Sequence, residues 1–140
     1  MSTDLRCPVC AEPLEAGERA FICAQGHSFD RARQGYVNLL RRTRLRGDTP
    51  EMLQARRRFL DAGWYAPLAD AIGEEVATWL AEAGAALPPE SRVALDVGCG
   101  EGYYLSRLAG TLAPALDAGG WRLYGLDLAK DAVRMAAGRS

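Results

Sequence analysis

The sequence predicts an α/β protein: a small cysteine-rich module, a helical connector, then the opening strand–helix–strand–helix of a parallel sheet. Three observations carry that reading. Three of the four cysteines and the only histidine fall within residues 7–27. Two helical patterns follow, between residues 49 and 84. Beyond residue 90, apolar runs alternate with helical patterns, which is how a parallel sheet reads in sequence. A chain of 140 residues has room for one ordinary domain or two small ones. At 49% hydrophobic and 25% charged, its composition is globular rather than disordered. No apolar stretch approaches the roughly 18 residues of a membrane span. The N-terminus, Met1-Ser2-Thr3-Asp4-Leu5-Arg6, lacks the basic-then-apolar order of a secretory signal, so the cytoplasm is the expected compartment.

The first region, residues 1–40, is turn-rich, with short strands expected at Phe21-Ile22 and over residues 36–40. Residues 41–48, Arg-Arg-Thr-Arg-Leu-Arg-Gly-Asp, read as a basic loop. Thr49-Pro50-Glu51 is a helix start, with an N-cap hydroxyl, a proline at the first helical position and an acid in the first turn. That helix runs to about Asp61, and Gly63 stops it. A second helix covers residues 66–84, with Leu68, Ile72, Val76 and Leu80 as its apolar stripe. Gly84, Pro88 and Pro89 close the connector, residues 41–90. In the last region, residues 91–140, Arg92–Val97 is a buried strand, Gly98–Gly102 a turn and 103–112 a helix. Residues 113–120 read as a loop, Trp121–Leu126 as a second strand and 129–138 as a second helix.

Charge divides the chain. Residues 1–60 carry 11 basic and 7 acidic groups, a balance of +4, and residues 61–140 carry 6 and 11, a balance of −5. The two halves therefore suggest different roles. All basic residues except Lys130 are arginine, the side chain suited to bidentate phosphate recognition.

Cys7, Cys10, Cys23 and His27 stand as Cys-x2-Cys-x12-Cys-x3-His, two close pairs of soft ligands. A short turn within each pair lets both members face one ion, and tetrahedral Zn2+ takes a Cys3His set as thiolates and neutral imidazole. So small a segment buries too little core to fold unaided, and the metal supplies the missing stability. With all four positions filled by protein, the zinc is expected to be structural. A chance cluster of buried cysteines is the competing reading, and the position of the sole histidine argues against it.

Asp96-Val97-Gly98-Cys99-Gly100-Glu101-Gly102 follows an apolar strand and opens a helix. Glycines at alternate positions let backbone approach a ligand without side-chain obstruction. The spacing is Gly-x-Gly-x-Gly, not that of dinucleotide enzymes. With Asp96 two residues earlier, it resembles the S-adenosylmethionine (SAM) loop of Rossmann-type methyltransferases. Asp127 ends the second strand, where a carboxylate can accept both ribose hydroxyls of a cofactor. Cys99 reads as a small residue in a tight loop rather than a nucleophile.

Taken in order, a Cys3His site, a helical segment and this loop resemble the zinc-containing, SAM-dependent bacterial large-subunit ribosomal RNA guanine-N1 methyltransferases. The resemblance covers nearly the whole chain. Its most specific stretches run from Phe29-Asp30 to Leu39-Leu40 and from Gly47-Asp48 to Pro67-Leu68, with Tyr103-Tyr104 after the glycine loop. It implies zinc on Cys7, Cys10, Cys23 and His27, and cofactor contacts at Tyr65, Gly100 and Glu101; the loop reading adds Asp96, Gly98, Gly102 and Asp127. It further implies methylation of guanine N1 in a large-subunit rRNA hairpin loop, and a kinship with enzymes that confer resistance to certain macrolides. Arg41, Arg42, Arg44 and Arg46 would then grip RNA phosphates, although a solvated loop reads the same way. A full domain of this family has a sheet of about seven strands. Residues 91–140 therefore read as an incomplete methyltransferase domain, and the chain is expected to be a truncated portion without turnover. No catalytic residue is assigned. The alternative is a small zinc-dependent RNA-binding protein with a vestigial cofactor loop. Open strand edges of a two-strand sheet would also invite pairing into a homodimer.

Overall fold

In the computed structural model, which describes residues 2–41 and 47–139, the first unit (Met1–Arg46) is a meander of four short antiparallel strands. These are β1 (Ser2–Arg6), β2 (Pro13–Ala16), β3 (Ala20–Cys23) and β4 (Ser28–Asp30), paired in sequence order. Only β3 is expected from the sequence. The others are too short, and too mixed with charge, for a period of two to stand out. In a meander, alternate turns lie at the same end. The turn after β1 and the turn after β3 therefore meet, and they carry the two ligand pairs. The core is small: Cys7, Leu14 and Cys23 are buried, with Leu5, Phe21, Phe29 and Leu39 packed around them. The strand expected over 36–40 does not form. Val37 makes an isolated bridge to Arg31, and the Leu40 N–H turns back onto Asn38 Oδ1 at 3.0 Å. That local side-chain acceptor competes with a strand ladder and bends the chain.

The second unit (Gly47–Ser140) begins with α1 (Pro50–Asp61). Thr49 caps it, its Oγ1 accepting from the Met52 N–H at 3.3 Å. Leu53 and Leu60 form its buried face. Next, α2 (Ala66–Ala86) packs on α3 (Tyr103–Gly119). Its buried stripe is Ala69, Gly73 and Leu80, not the Leu68–Ile72 line expected from sequence, which is exposed. The reason is close approach: a Cβ on Gly73 would lie 3.0 Å from Thr111 Oγ1, so small residues face the partner helix and the larger ones turn outward. Arg92 serves the end of α2, donating to the carbonyls of Gly84 at 2.7 Å and Leu87 at 3.1 Å.

After a short 3-10 turn (Pro89–Ser91), β5 (Val93–Val97) pairs in parallel with β6 (Arg122–Leu126), from Val93 opposite Arg122 to Val97 opposite Leu126. A parallel pair needs a crossover, which α3 provides. The loop expected at 113–120 is instead the last two turns of α3, which runs through Pro114 to a left-handed Gly120. Leu112 is buried against Leu80 and Trp121, with Leu116 packed beside them. This packing outweighs the helix-breaking character of the proline, which stands on the exposed side. Finally, α4 (Lys130–Ala137) buries Ala132 against Leu53. The described fold is thus mixed α/β, and its parallel sheet holds two strands.

Candidate metal centre and cofactor cleft

The four predicted ligands come together. The ligand atoms of Cys7, Cys10, Cys23 and His27 all lie within 4.8 Å of one another. Cys10 Sγ is 3.7 Å from Cys23 Sγ, and Cys23 Sγ is 3.3 Å from His27 Nδ1. Thiolates about 2.3 Å from a tetrahedral zinc stand about 3.8 Å apart, so the spacing fits that ion. Each pair sits on a tight turn. The Cys7 N–H donates to Glu12 O and Ala11 N–H to Cys7 O, both at 2.8 Å, while Gly26 N–H donates to Cys23 O at 2.9 Å. The crowding is electrostatically costly without a cation. A backbone N–H at Glu12 favours the Cys10 thiolate, yet burial and the neighbouring thiols push that thiol up to about 11.

The glycine loop closes a second site within the Gly47–Ser140 unit. Gly98, Gly100 and Gly102 all take positive φ, at 84°, 56° and 86°. At Gly102 a Cβ would also lie 2.8 Å from Ala136 Cα, so α4 packs directly on the loop. The N–H groups of Gly98 and Cys99 donate to Leu126 O at 2.7 and 3.1 Å, tying the loop to the end of β6. There the Asp127 carboxylate accepts from Gly100 N–H at 2.9 Å and from Ala129 N–H at 2.8 Å. Beside the loop lies a cleft of about 340 Å3, lined by Arg56, Phe59, Leu60, Gly98, Cys99, Gly100, Glu101, Tyr103 and Tyr104. That is within the size range of small-molecule sites. Asp96, the next-to-last residue of β5, has its carboxyl raised by burial and then by the charge of Asp127. Burial, with Asp96 and Asp127, also pushes the Cys99 thiol up to about 11, so it stays protonated at neutral pH.

Glu101 is almost wholly buried and is held by Arg139. Tyr65 stands exposed at the start of α2 with its ring edge-on to Phe59, at 5.7 Å. Arg41 is exposed, and Arg42, Arg44 and Arg46 lie outside the described residues. Sequence reasoning placed neither Phe59 nor Arg139 at the site. Arg56, Phe59 and Leu60 share one face of α1 at steps of three and four, a signal available from spacing. Arg139 stands 38 residues after its partner Glu101, and no local pattern announces it.

A cysteine–histidine ribbon, followed by a unit in which strand, glycine loop and helix frame a cleft, defines a metal-binding protein with a candidate small-molecule site. Residues 5–41 match the zinc-ribbon family described as RlmA, N-terminal. The chain is 46% identical over 134 residues to the 23S rRNA (guanine(748)-N(1))-methyltransferase of Streptomyces fradiae, covering 95% of this chain and 44% of that protein. It is 39% identical over 151 residues to a protein of Micromonospora griseorubida provisionally named a 23S rRNA (guanine-N(1)-)-methyltransferase, with 95% and 47% covered. It is 36% identical over 135 residues to YxjB of Bacillus subtilis strain 168, provisionally named likewise, with 94% and 45% covered. The chain is thus similar over almost its whole length to proteins named as 23S rRNA guanine-N1 methyltransferases, and it spans just under half the length of these three.

Proposed function

We propose that this chain forms the zinc- and cofactor-holding part of an enzyme that methylates N1 of a guanine in large-subunit rRNA, with SAM as methyl donor. The observation that carries the cofactor reading is the Asp127 carboxylate at the end of β6, locked beside the glycine loop by two backbone N–H groups. Each of its oxygens accepts one N–H and keeps a lone pair for a ribose hydroxyl. The glycine loop, Gly98 to Gly102, would pass along the cofactor's ribose and amino-acid portions. Asp96, raised by burial and by Asp127, is a carboxylate that gains from a cationic neighbour such as an α-ammonium group. Tyr65 and Phe59 would lie along the mouth of the cleft. When bound, SAM supplies a methyl group on a positively charged sulfonium.

Guanine N1 carries a proton at neutral pH, so transfer also needs a group that removes it. No residue is assigned to that role. Zinc on Cys7, Cys10, Cys23 and His27 would have all four positions taken by protein and would hold the ribbon in shape. Exposed Arg41, with Arg42, Arg44 and Arg46, would contact RNA phosphates. The test is a gel shift with an unlabelled-competitor series on a large-subunit rRNA hairpin, run with and without chelator and beside a SAM-binding assay. The proposal expects zinc-dependent RNA binding together with SAM binding. RNA binding without cofactor binding would leave only a zinc-dependent RNA-binding protein, and binding of neither would sink the reading.

A further inference from the structure

We infer that Arg139 is the positioning residue of the glycine loop. It acts through Glu101, whose carboxylate serves the loop rather than the ligand. The inference deepens the cofactor reading of the cleft and rests on it for the identity of the ligand.

Glu101 is 1% exposed, and a buried carboxylate is costly unless it is paired. Arg139, just beyond α4, supplies the pairing with a side chain only 11% exposed. Its Nε donates to Glu101 Oε2 at 2.6 Å and to the Glu101 carbonyl at 3.0 Å, and its Nη2 also pairs with Oε2. One guanidinium therefore fixes both the Glu101 side chain and the peptide plane that joins Glu101 to Gly102. Its Nη1 reaches back to Asp61 Oδ1 at the end of α1, at 2.9 Å. Its central carbon Cζ lies over the ring of Tyr103, the first residue of α3, 5.6 Å from the ring centre. Arg139 thus joins the end of α1, the loop and the start of α3.

The consequence falls on the backbone. Gly98, Cys99, Gly100 and Gly102 all spend their N–H groups inside the protein, on Leu126 O, Asp127 Oδ2 and Cys99 O. The Glu101 carbonyl is pinned toward Arg139. That carbonyl shares its peptide plane with the Gly102 N–H, so Arg139 also steadies the donor that closes the loop onto Cys99 O. A lysine in place of Arg139 keeps the charge and loses the planar fork that grips carboxylate and carbonyl together.

The test is a double-mutant cycle on the full, zinc-loaded chain. SAM affinity is read by calorimetry below each variant's unfolding temperature. Arg139→Gln is expected to weaken SAM binding by about tenfold or more, the scale of a lost hydrogen bond to a charged group. Glu101→Gln is expected to weaken it as well, and the double variant no more than the worse single, because the two act as one unit. Arg139→Lys should recover part of the loss, and it carries the comparison if Arg139→Gln fails to fold. Arg134→Gln, which removes a surface pair with Asp131, is the control. Affinity of Arg139→Gln within about twofold of the parent, or losses that multiply in the double variant, would overturn the inference. A second readout needs no ligand: amide exchange at residues 100–102 should quicken in Arg139→Gln and not in Arg134→Gln. Unchanged exchange there also overturns it. A parent chain that binds no SAM overturns the cofactor reading instead, and the exchange comparison then decides this one.

Discussion

Ala11 holds a left-handed backbone at φ 62° directly after the second cysteine of the metal site. A residue with a Cβ pays about 1–2 kcal/mol for that conformation. The turn requires it, because the left-handed step brings Glu12 O back onto the Cys7 N–H. Ala11→Gly should therefore stabilise the zinc-loaded ribbon by about 1 kcal/mol in thermal or urea unfolding, net of glycine's greater freedom when unfolded. A less stable variant would contradict this account of the turn. Asp96 gives a pH-dependent case. Burial, and then the charge of Asp127, raise its carboxyl above the ordinary range. The folded state then holds the proton more tightly than the unfolded state, so this residue's contribution to stability falls as pH rises through the raised range. Asp96→Asn should stabilise the ligand-free chain at neutral pH, and that gain should shrink toward zero on acidification as Asp96 itself becomes protonated. A gain that is the same at all pH values would show that burial of the charge is not its cause. The cluster of Cys7, Cys10, Cys23 and His27, which the structure brings together, was legible because coordination demands both residue type and spacing. Glu101 was legible as a loop residue, but its partner Arg139 was not, because a pairing across 38 residues leaves no local trace.

At the level of elements, the ribbon shows why a metal matters. Among the described residues, four strands of three to five residues surround only three buried side chains, two of which are the candidate ligands Cys7 and Cys23. Removing the ion takes away the crosslink between the two turns. A chelator should therefore unfold β1–β4, seen as loss of amide protection over residues 5–30, while α1–α4 keep theirs. Full protection of the strands after verified metal loss would refute the structural role. The helices show where sequence reading stops. The start of α1 was legible because Thr49, Pro50 and Glu51 are local signals that act locally. The face of α2 was legible in its second half, where Val76 and Leu80 pack as expected, but not in its first, because Gly73 and Ala69 are buried through close approach to α3 and hydrophobicity alone favours Leu68 and Ile72. The length of α3 was hidden for a related reason. Pro114 and the following glycines look like a loop until Leu112, Leu116 and Trp121 are seen packed together.

At the scale of the whole molecule, the chain joins two units of different chemistry. The first holds the soft-ligand cluster and leads into a run of arginines. The second is acidic and holds the cleft at the end of a parallel strand pair. The two β strands of the second unit leave Leu95 and Val97 exposed at 54% and 72%. Parallel sheets are ordinarily covered on both faces, so this face is the least finished surface of the described fold. No helix among the described residues is long and apolar enough to cross a membrane. The order of parts was readable from sequence because each carries its own motif, whereas the tie between loop, α1 and α4 exists only in three dimensions. The account turns on the claim that the cleft beside Gly98–Gly102 is a SAM site. Calorimetric titration of the zinc-loaded chain tests it most directly. The account predicts one saturable site for SAM, displaced by S-adenosylhomocysteine and indifferent to NAD. No saturable SAM binding, or equal binding of NAD, would contradict it.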